Sequence, residues 1–252
     1  MKLGEHEVHL WLVKCSELND TSLLNEYRDL LSAAELERQQ RYALDKSRHR
    51  DLLSRVLVRT TLSRYEPVNA KAWAFSVGEH GKPAVSSPLS SLRFNLSHAE
   101  DYIVLAVSRH RDIGVDIEYM QRKASYLKIA AEYFSKMENA NLSALPKAAQ
   151  RARFYDFWTL KEAYLKACGL GVMAGLDQFG FQLDQSNGAS IAFYGQQIEE
   201  PADWFFWRAA LERDYRLSLA IRSRADVNIN VSLFDVMPLS RYHSRALISM
   251  DG

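Results

Sequence analysis

Apolar residues recur along this chain in two registers, and the switches between them mark its elements. Val8 to Val13 alternates weakly and reads as an edge strand with no evident partner. From about Ser32 to Tyr65 the period lengthens to that of a helix, with Leu52, Leu53, Val56, Leu57 and Leu62 along one stripe. Ser32 is placed to cap that segment, and Glu35 would complete a capping box. Gly78 to Ser91 holds Gly81-Lys82-Pro83 and a Ser/Pro cluster, which predicts a loop. Phe94-Asn95-Leu96-Ser97-His98 then leads into Tyr102 to Val107, an apolar strand. The polar link Arg109-His110-Arg111-Asp112 joins it to a strand through Gly114-Val115-Asp116-Ile117-Glu118.

The second half predicts a helix from about Ser125 to Phe134, a polar loop from Glu138 to Gln150, and a long helix from Phe154 to Cys168. That helix should stop at Gly169 and Gly171, since glycine tolerates the left-handed turn that ends helices. Strands follow at Phe179 to Leu183, Ile191 to Tyr194, Trp204 to Leu211 and Tyr215 to Ile221. Each half thus mixes helix and strand, an α+β pattern, with a seam near residues 108 to 113. No sequence repeat relates the halves. The tail beyond Ala225 has strand character around Asn228 to Val236 and reads as an appendage.

Composition narrows the classes. The chain has 252 residues, 47% hydrophobic and 25% charged, an ordinary globular balance. A formal net charge of +1 gives no global field that would draw nucleic acid or an anionic membrane, so any anion site must be local. The two cysteines, Cys15 and Cys168, lack metal-ligand spacing and argue against a disulfide scaffold. No secretory h-region or membrane-length apolar run is evident, which makes the reducing cytoplasm the expected compartment.

Candidate chemistry concentrates in two stretches. With Ile113, Val115 and Ile117 facing inward, Asp116 and Glu118 share the other face of their strand. Glu162 and Lys166 share one side of the long helix, a turn apart. Alternating acids also suit a solvated strand edge, and a Glu-to-Lys pair also suits a helix surface. The helix is apolar over much of its circumference, however, and a charged Glu162 there needs a lysine or a metal as partner. Three carboxylates beside lysines are suited to holding a hard cation against a phosphate. The arginines between Arg38 and Arg64 are interleaved with acids, so they suggest at most one or two phosphate contacts rather than a nucleic-acid face.

In order, Gly81-Lys82-Pro83, Phe94 to His98, Ile113 to Glu118 and Trp158-Thr159-Leu160-Lys161-Glu162-Ala163-Tyr164-Leu165-Lys166 strongly resemble the 4'-phosphopantetheinyl transferases of the long, surfactin-synthetase-activating type. The resemblance runs from roughly Ala34 to Ile221, and its Lys-Glu-Ala ending resembles one subgroup. It implies two similar pseudo-symmetric lobes, each a small, mostly antiparallel sheet packed with a long helix. The expected division is 1–109, then 110–225 with the catalytic residues, then a 226–252 extension, in a monomer. It further implies transfer of the phosphopantetheine arm of coenzyme A to a serine of an apo-carrier protein, acyl, peptidyl or polyketide, with release of adenosine 3',5'-bisphosphate.

By the same resemblance Asp116, Glu118 and Glu162 match magnesium ligands, and Glu162 or a metal-linked water would activate the serine. Lys161 and Lys166 match lysines near the pyrophosphate. Ser97 and His98 match a phosphate contact, and Gly81, Lys82 and Pro83 match the adenine loop. Arg50 matches a basic residue near the 3'-phosphate, with Arg38 a further basic contact. Glu35 and Asp51 depart from the family pattern, standing where a basic and a hydroxyl residue are common. An acidic carrier helix calls for a basic and apolar rim, for which Tyr133, Phe134 and Lys136 are candidates; Phe134 is equally suited to a core. A magnesium-dependent pyrophosphate hydrolase and a non-catalytic binding module remain the competing readings.

Overall fold

The computed structural model describes residues 1–78, 81–123, 125–170, 175–184, 187–194, 199–224 and 227–246. Its first half runs β1 (Glu7–Lys14), α1 (Thr21–Arg28), α2 (Ala33–Gln40), α3 (Asp45–Tyr65), β2 (Ala74–Val77), β3 (Pro83–Ser87), β4 (Leu92–Ala99) and β5 (Tyr102–Arg109). The second runs β6 (Ile113–Tyr119), α4 (Tyr126–Tyr133), α5 (Lys136–Ala144), α6 (Lys147–Cys168), β7 (Phe179–Leu183), β8 (Gly188–Phe193), β9 (Trp204–Leu211) and β10 (Tyr215–Arg222). Two further strands, β11 (Asn230–Met237) and β12 (Arg241–Ser244), close the described chain. The fold is α+β, with one five-stranded sheet ordered β12-β11-β1-β5-β4 and another ordered β6-β10-β9-β8-β7. β2 and β3 form a separate hairpin.

β1 is not an edge strand. It lies between β11, which it pairs in parallel, and β5, which it pairs antiparallel. Trp11 and Val13 face the core under α3, while Val8, Leu10 and Leu12 face the second sheet. A strand buried on both faces has no polar side to alternate with, which explains the weak pattern. The tail likewise is no appendage. Phe234 of β11 stacks on Trp11 at 4.7 Å, Tyr242 of β12 meets Trp11 edge-on at 5.2 Å, and the Arg64 guanidinium lies 4.7 Å over the Tyr242 ring. The chain returns to finish the first sheet.

The capping box of Ser32 and Glu35 is present, but the helical stretch it opens breaks after Gln40 and restarts at Asp45. Glu35 is also held by Arg55 and Arg59, which explains an acid at this place: it ties α2 to α3. The expected polar loop at 138–150 contains most of α5 and the first turn of α6, which spans Lys147–Cys168 and ends at Gly169 with φ of 71°. Gly171 lies outside the described residues, as do 225–226 and 247–252.

The two five-stranded sheets meet through one apolar layer. Val104 and Ala106 of β5 and Leu10 and Leu12 of β1 pack with Val115 and Ile117 of β6 and Leu217 and Leu219 of β10. α6 covers the other face of the second sheet, with Phe157, Leu160 and Ala163 in its core. No described helix is long and apolar enough to cross a membrane.

Candidate active site at the seam between the sheets

β6 is where the two halves touch. Its inward residues Ile113, Val115 and Ile117 join the inter-sheet core, which turns Gly114, Asp116 and Glu118 toward α6. The strand and helix approach so closely that a Cβ at Gly114 would lie 2.0 Å from the Ala163 carbonyl oxygen and 2.4 Å from the Ala167 amide nitrogen. Only glycine fits there. Its absent side chain lets α6 settle until Lys166 Nζ donates to Asp116 Oδ1 at 2.6 Å. A second link sits one strand over, where the Thr159 and Ser218 hydroxyls lie 2.7 Å apart.

β4 reaches the same strand from the first sheet. Asn95 Oδ1 accepts from the Val115 amide at 2.9 Å, and Ser97 Oγ donates to Asp116 Oδ1 at 2.9 Å. Both side chains come from one face of β4, two positions apart. Sequence reasoning missed Asn95, and the period-two spacing of Asn95 and Ser97 was the available signal.

The acids at this seam are short of partners. Asp116 is 4% exposed and Glu162 is 8% exposed. Buried Asp116 Oδ2, Glu118 Oε2 and Glu162 Oε1 receive no hydrogen bond among the described residues. The Arg122 guanidinium lies 3.1 Å from Glu118 Oε2 as an ion pair, but without the alignment of a hydrogen bond. Burial, reinforced by the charge of Asp116, pushes both Glu118 and Glu162 up to about 7. Two glutamates that burial, with the nearby charge of Asp116, pushes toward the neutral form call for a cation. Among the described residues no group of three ligating side chains forms a ready metal cage. Magnesium does not need one, because it keeps several waters and is usually held by one or two carboxylates plus substrate phosphates. The donor chemistry fits a hard divalent cation.

The other expected residues divide into those near the seam and those away from it. His98 reaches solvent within a crowded cleft, where desolvation and then Arg50, Lys166 and Arg122 push its pKa down to about 4. The imidazole is therefore neutral near pH 7 and offers a phosphate one N–H rather than a charge. Arg50 lines a cavity of about 590 Å³ together with Lys46, His49 and Asp101. Gly81 takes φ of 85° in the hairpin turn between β2 and β3. Next to it Lys82 Nζ donates to the Ala167 carbonyl at 2.9 Å, and burial lowers its pKa. Lys82 and Pro83 line a cavity of about 460 Å³ with Phe94, Ile113 and Cys168, so the hairpin caps the end of α6. Arg38 is exposed on α2 and lines neither cavity.

Lys161 does not reach the seam. It is fully buried, and its ammonium donates to Leu176 O and Phe179 O, both at 2.7 Å, and pairs with Glu138 at 2.9 Å. An ammonium has three protons, and all three are committed inside the second lobe. Its helix position, one residue before Glu162, turns it about 100° around α6 and away from the seam. Phe134 is likewise core, 4% exposed and stacked on Phe154 at 5.2 Å, which removes it from the carrier rim. Tyr133 is half-buried, and Lys136 stays exposed at the start of α5.

A family model described as the 4'-phosphopantetheinyl transferase superfamily matches residues 112–220. Another, described as 4'-phosphopantetheinyl transferase, N-terminal, matches residues 21–110. The 4'-phosphopantetheinyl transferase HetI of Nostoc is 33% identical over 193 residues, covering 76% of this chain and 80% of its own length. The chain belongs to the 4'-phosphopantetheinyl transferase family. The transferase Sfp of Bacillus subtilis is 34% identical over 165 residues, 66% of this chain and 72% of its own. A Synechocystis relative, slr0495, is 36% identical over 160 residues, and the match spans 65% of that protein. As a phosphopantetheinyl transferase the chain is an enzyme of group transfer, and coenzyme A and a carrier protein are the family's substrates. The two family matches adjoin at the turn between β5 and β6, beside the strand that carries Asp116.

Proposed function

We propose that this phosphopantetheinyl transferase works with magnesium held by Asp116, Glu118 and Glu162, and that the seam is its catalytic centre. The single observation that carries this reading is the trio of buried carboxylate oxygens without a hydrogen bond on facing elements, with the Lys166 ammonium bonded to Asp116 beside them. Magnesium would neutralise the pyrophosphate of coenzyme A and stabilise the leaving bisphosphate.

The chain's own groups do the rest. Arg50 and neutral His98 bind phosphate oxygens on the side of the first lobe, and the hairpin of Gly81, Lys82 and Pro83 borders the cavity that takes the adenine. Those contacts hold the coenzyme for in-line attack, where positioning accounts for much of the rate. The carrier serine oxygen bonds to the phosphorus that bears the pantetheine. The bond from that phosphorus to the bridging oxygen breaks, and adenosine 3',5'-bisphosphate leaves. Glu162, kept ionised by the cation, takes the serine proton as general base. Lys166 offers positive charge to the same region.

We place residues 1–109 in one lobe and 110–225 in the other, with 226–252 as an extension whose β11 and β12 complete the first sheet. The enzyme acts as a monomer, a reading supported by the meeting of Ser97 and Asp116 within one chain. It works in the cytoplasm, where Cys15 and Cys168, both unpaired, stay thiols. Lys136, exposed at the start of α5, receives an acidic carrier helix.

One incubation tests the reading: coenzyme A, magnesium and an apo-carrier, with the carrier then weighed and the bisphosphate measured. A magnesium-dependent gain of one phosphopantetheine supports it. Bisphosphate without a heavier carrier would point to a hydrolase. Neither product, with coenzyme A still bound, would leave a binding module.

A further inference from the structure

Ser97 stands where a phosphate contact is expected, yet its hydroxyl is fully committed elsewhere. It lies 2.9 Å from Asp116 Oδ1, 3.0 Å from Lys166 Nζ and 3.4 Å from the Ile117 amide nitrogen. The direction of each bond is forced by the partners: a carboxylate only accepts, while an ammonium and an amide only donate. The single O–H therefore goes to Asp116, and both lone pairs face donors. With 5% exposure and its one proton in use, this serine cannot donate to a phosphate oxygen without releasing Asp116.

Asp116 shows the complementary asymmetry. Its Oδ1 takes both Ser97 and Lys166, while Oδ2 is buried with no hydrogen-bond partner among the described residues. Fixing one oxygen of a carboxylate sets the rotation of the group and aims the other, which is what outer-shell partners do for metal ligands. Asn95 does the same to the backbone next door by gripping the Val115 amide at 2.9 Å. Two side chains from alternate positions of β4 thus hold β6 on both sides of the junction between Val115 and Asp116.

We propose that Ser97 is a positioning residue that reaches across from the first sheet to lock Asp116 Oδ1, aims Oδ2 at the divalent cation, and makes no contact with coenzyme A. This rests on the reading of Asp116 as a cation ligand. It means that the cation site, although its ligands all lie in the second lobe, is finished by the first. Removing the hydroxyl should loosen the cation and leave the coenzyme where it was.

The test separates those two bindings in the full-length chain. Manganese is titrated calorimetrically into metal-free protein without coenzyme, and coenzyme A is titrated separately in EDTA. For Ser97→Ala the manganese dissociation constant should rise about 10- to 100-fold, while coenzyme A affinity in EDTA stays at the parent value. Ser97→Thr keeps the hydroxyl and should bind manganese as the parent does. Should the alanine chain not fold, Ser97→Cys, whose thiol donates only weakly, carries the same comparison. Loss of coenzyme A affinity with manganese binding intact would overturn the proposal and restore Ser97 as a phosphate contact. Asp116→Asn is the control. If it abolishes manganese binding while Ser97→Ala does not, the cation site stands and this proposal alone falls. If Asp116→Asn changes nothing, the cation reading falls and takes the proposal with it.

Discussion

Gly114→Ala adds one methyl group at the tightest contact between strand and helix, and the structure sets its consequences. The new Cβ would lie 2.0 Å from the Ala163 carbonyl oxygen, 2.4 Å from the Ala167 nitrogen and 3.0 Å from the Lys166 carbonyl carbon. All three are backbone atoms, so no side chain can rotate away. Restoring contact at about 3.5 Å requires α6 to retreat from β6 by roughly 1.5 Å. Overpacking of this kind costs about 1–3 kcal/mol, or roughly 2–12 °C in Tm for a chain of this size. The retreat also carries Glu162 and Lys166 away from Asp116, and a misplacement near 1 Å at a reacting centre costs on the order of 100-fold in rate. Thermal unfolding followed by circular dichroism reads the first effect. The kcat/KM for carrier loading, measured well below the variant's Tm, reads the second. A variant with lowered Tm but undiminished kcat/KM would refute the claim that this contact sets the geometry of the site. An unchanged Tm would refute the packing argument itself.

Three other outcomes follow from particular contacts. Lys161→Met leaves Glu138 buried beside no cation, so chemical denaturation should show a loss of about 3–5 kcal/mol, while the folded fraction binds coenzyme A normally; weakened coenzyme binding would return Lys161 to the pyrophosphate. Phe234→Ala opens the space beside Trp11 and should cost about 3–5 kcal/mol, whereas an independent appendage would tolerate the change. Glu118 and Glu162 titrate near 7 when folded, against an ordinary value of 4.5. Between those values the folded chain holds more protons than the unfolded one, so the metal-free protein loses stability as pH rises toward 8. Added magnesium should therefore raise Tm more at pH 8 than at pH 5.5, and a magnesium effect independent of pH would contradict the assignment.

How much of this was legible in the sequence depended on whether the signal was local. The capping box of Ser32 and Glu35, the stop at Gly169 and the inward face of Ile113, Val115 and Ile117 all depend on near neighbours, and they could be read directly. The breadth of burial could not. β1 looked like an edge because both of its faces are covered by elements far away in the chain. The tail looked detached because its partner, β1, lies more than two hundred residues earlier. Within the site, spacing paired Asp116 with Glu118 and Glu162 with Lys166, and α6 does bring Lys166 onto Asp116. Lys161 could not be told from Lys166 in this way. Both are lysines in one motif, and only the placement of Glu138, Leu176 and Phe179 shows that the first is internal. Gly114 was visible as a letter of the motif, but its reason, a helix backbone pressed against it, exists only in the folded chain.

The central claim is that phosphopantetheine transfer runs through the acids at the seam, with Glu162 acting on the carrier serine. Single-turnover loading of an apo-carrier, followed by intact mass at saturating coenzyme A and magnesium, measures it most directly when wild type is compared with Glu162→Gln. The account predicts a fall in rate of about 100- to 10,000-fold, with coenzyme A binding in EDTA preserved. A glutamine variant that loads the carrier at nearly the wild-type rate would contradict it.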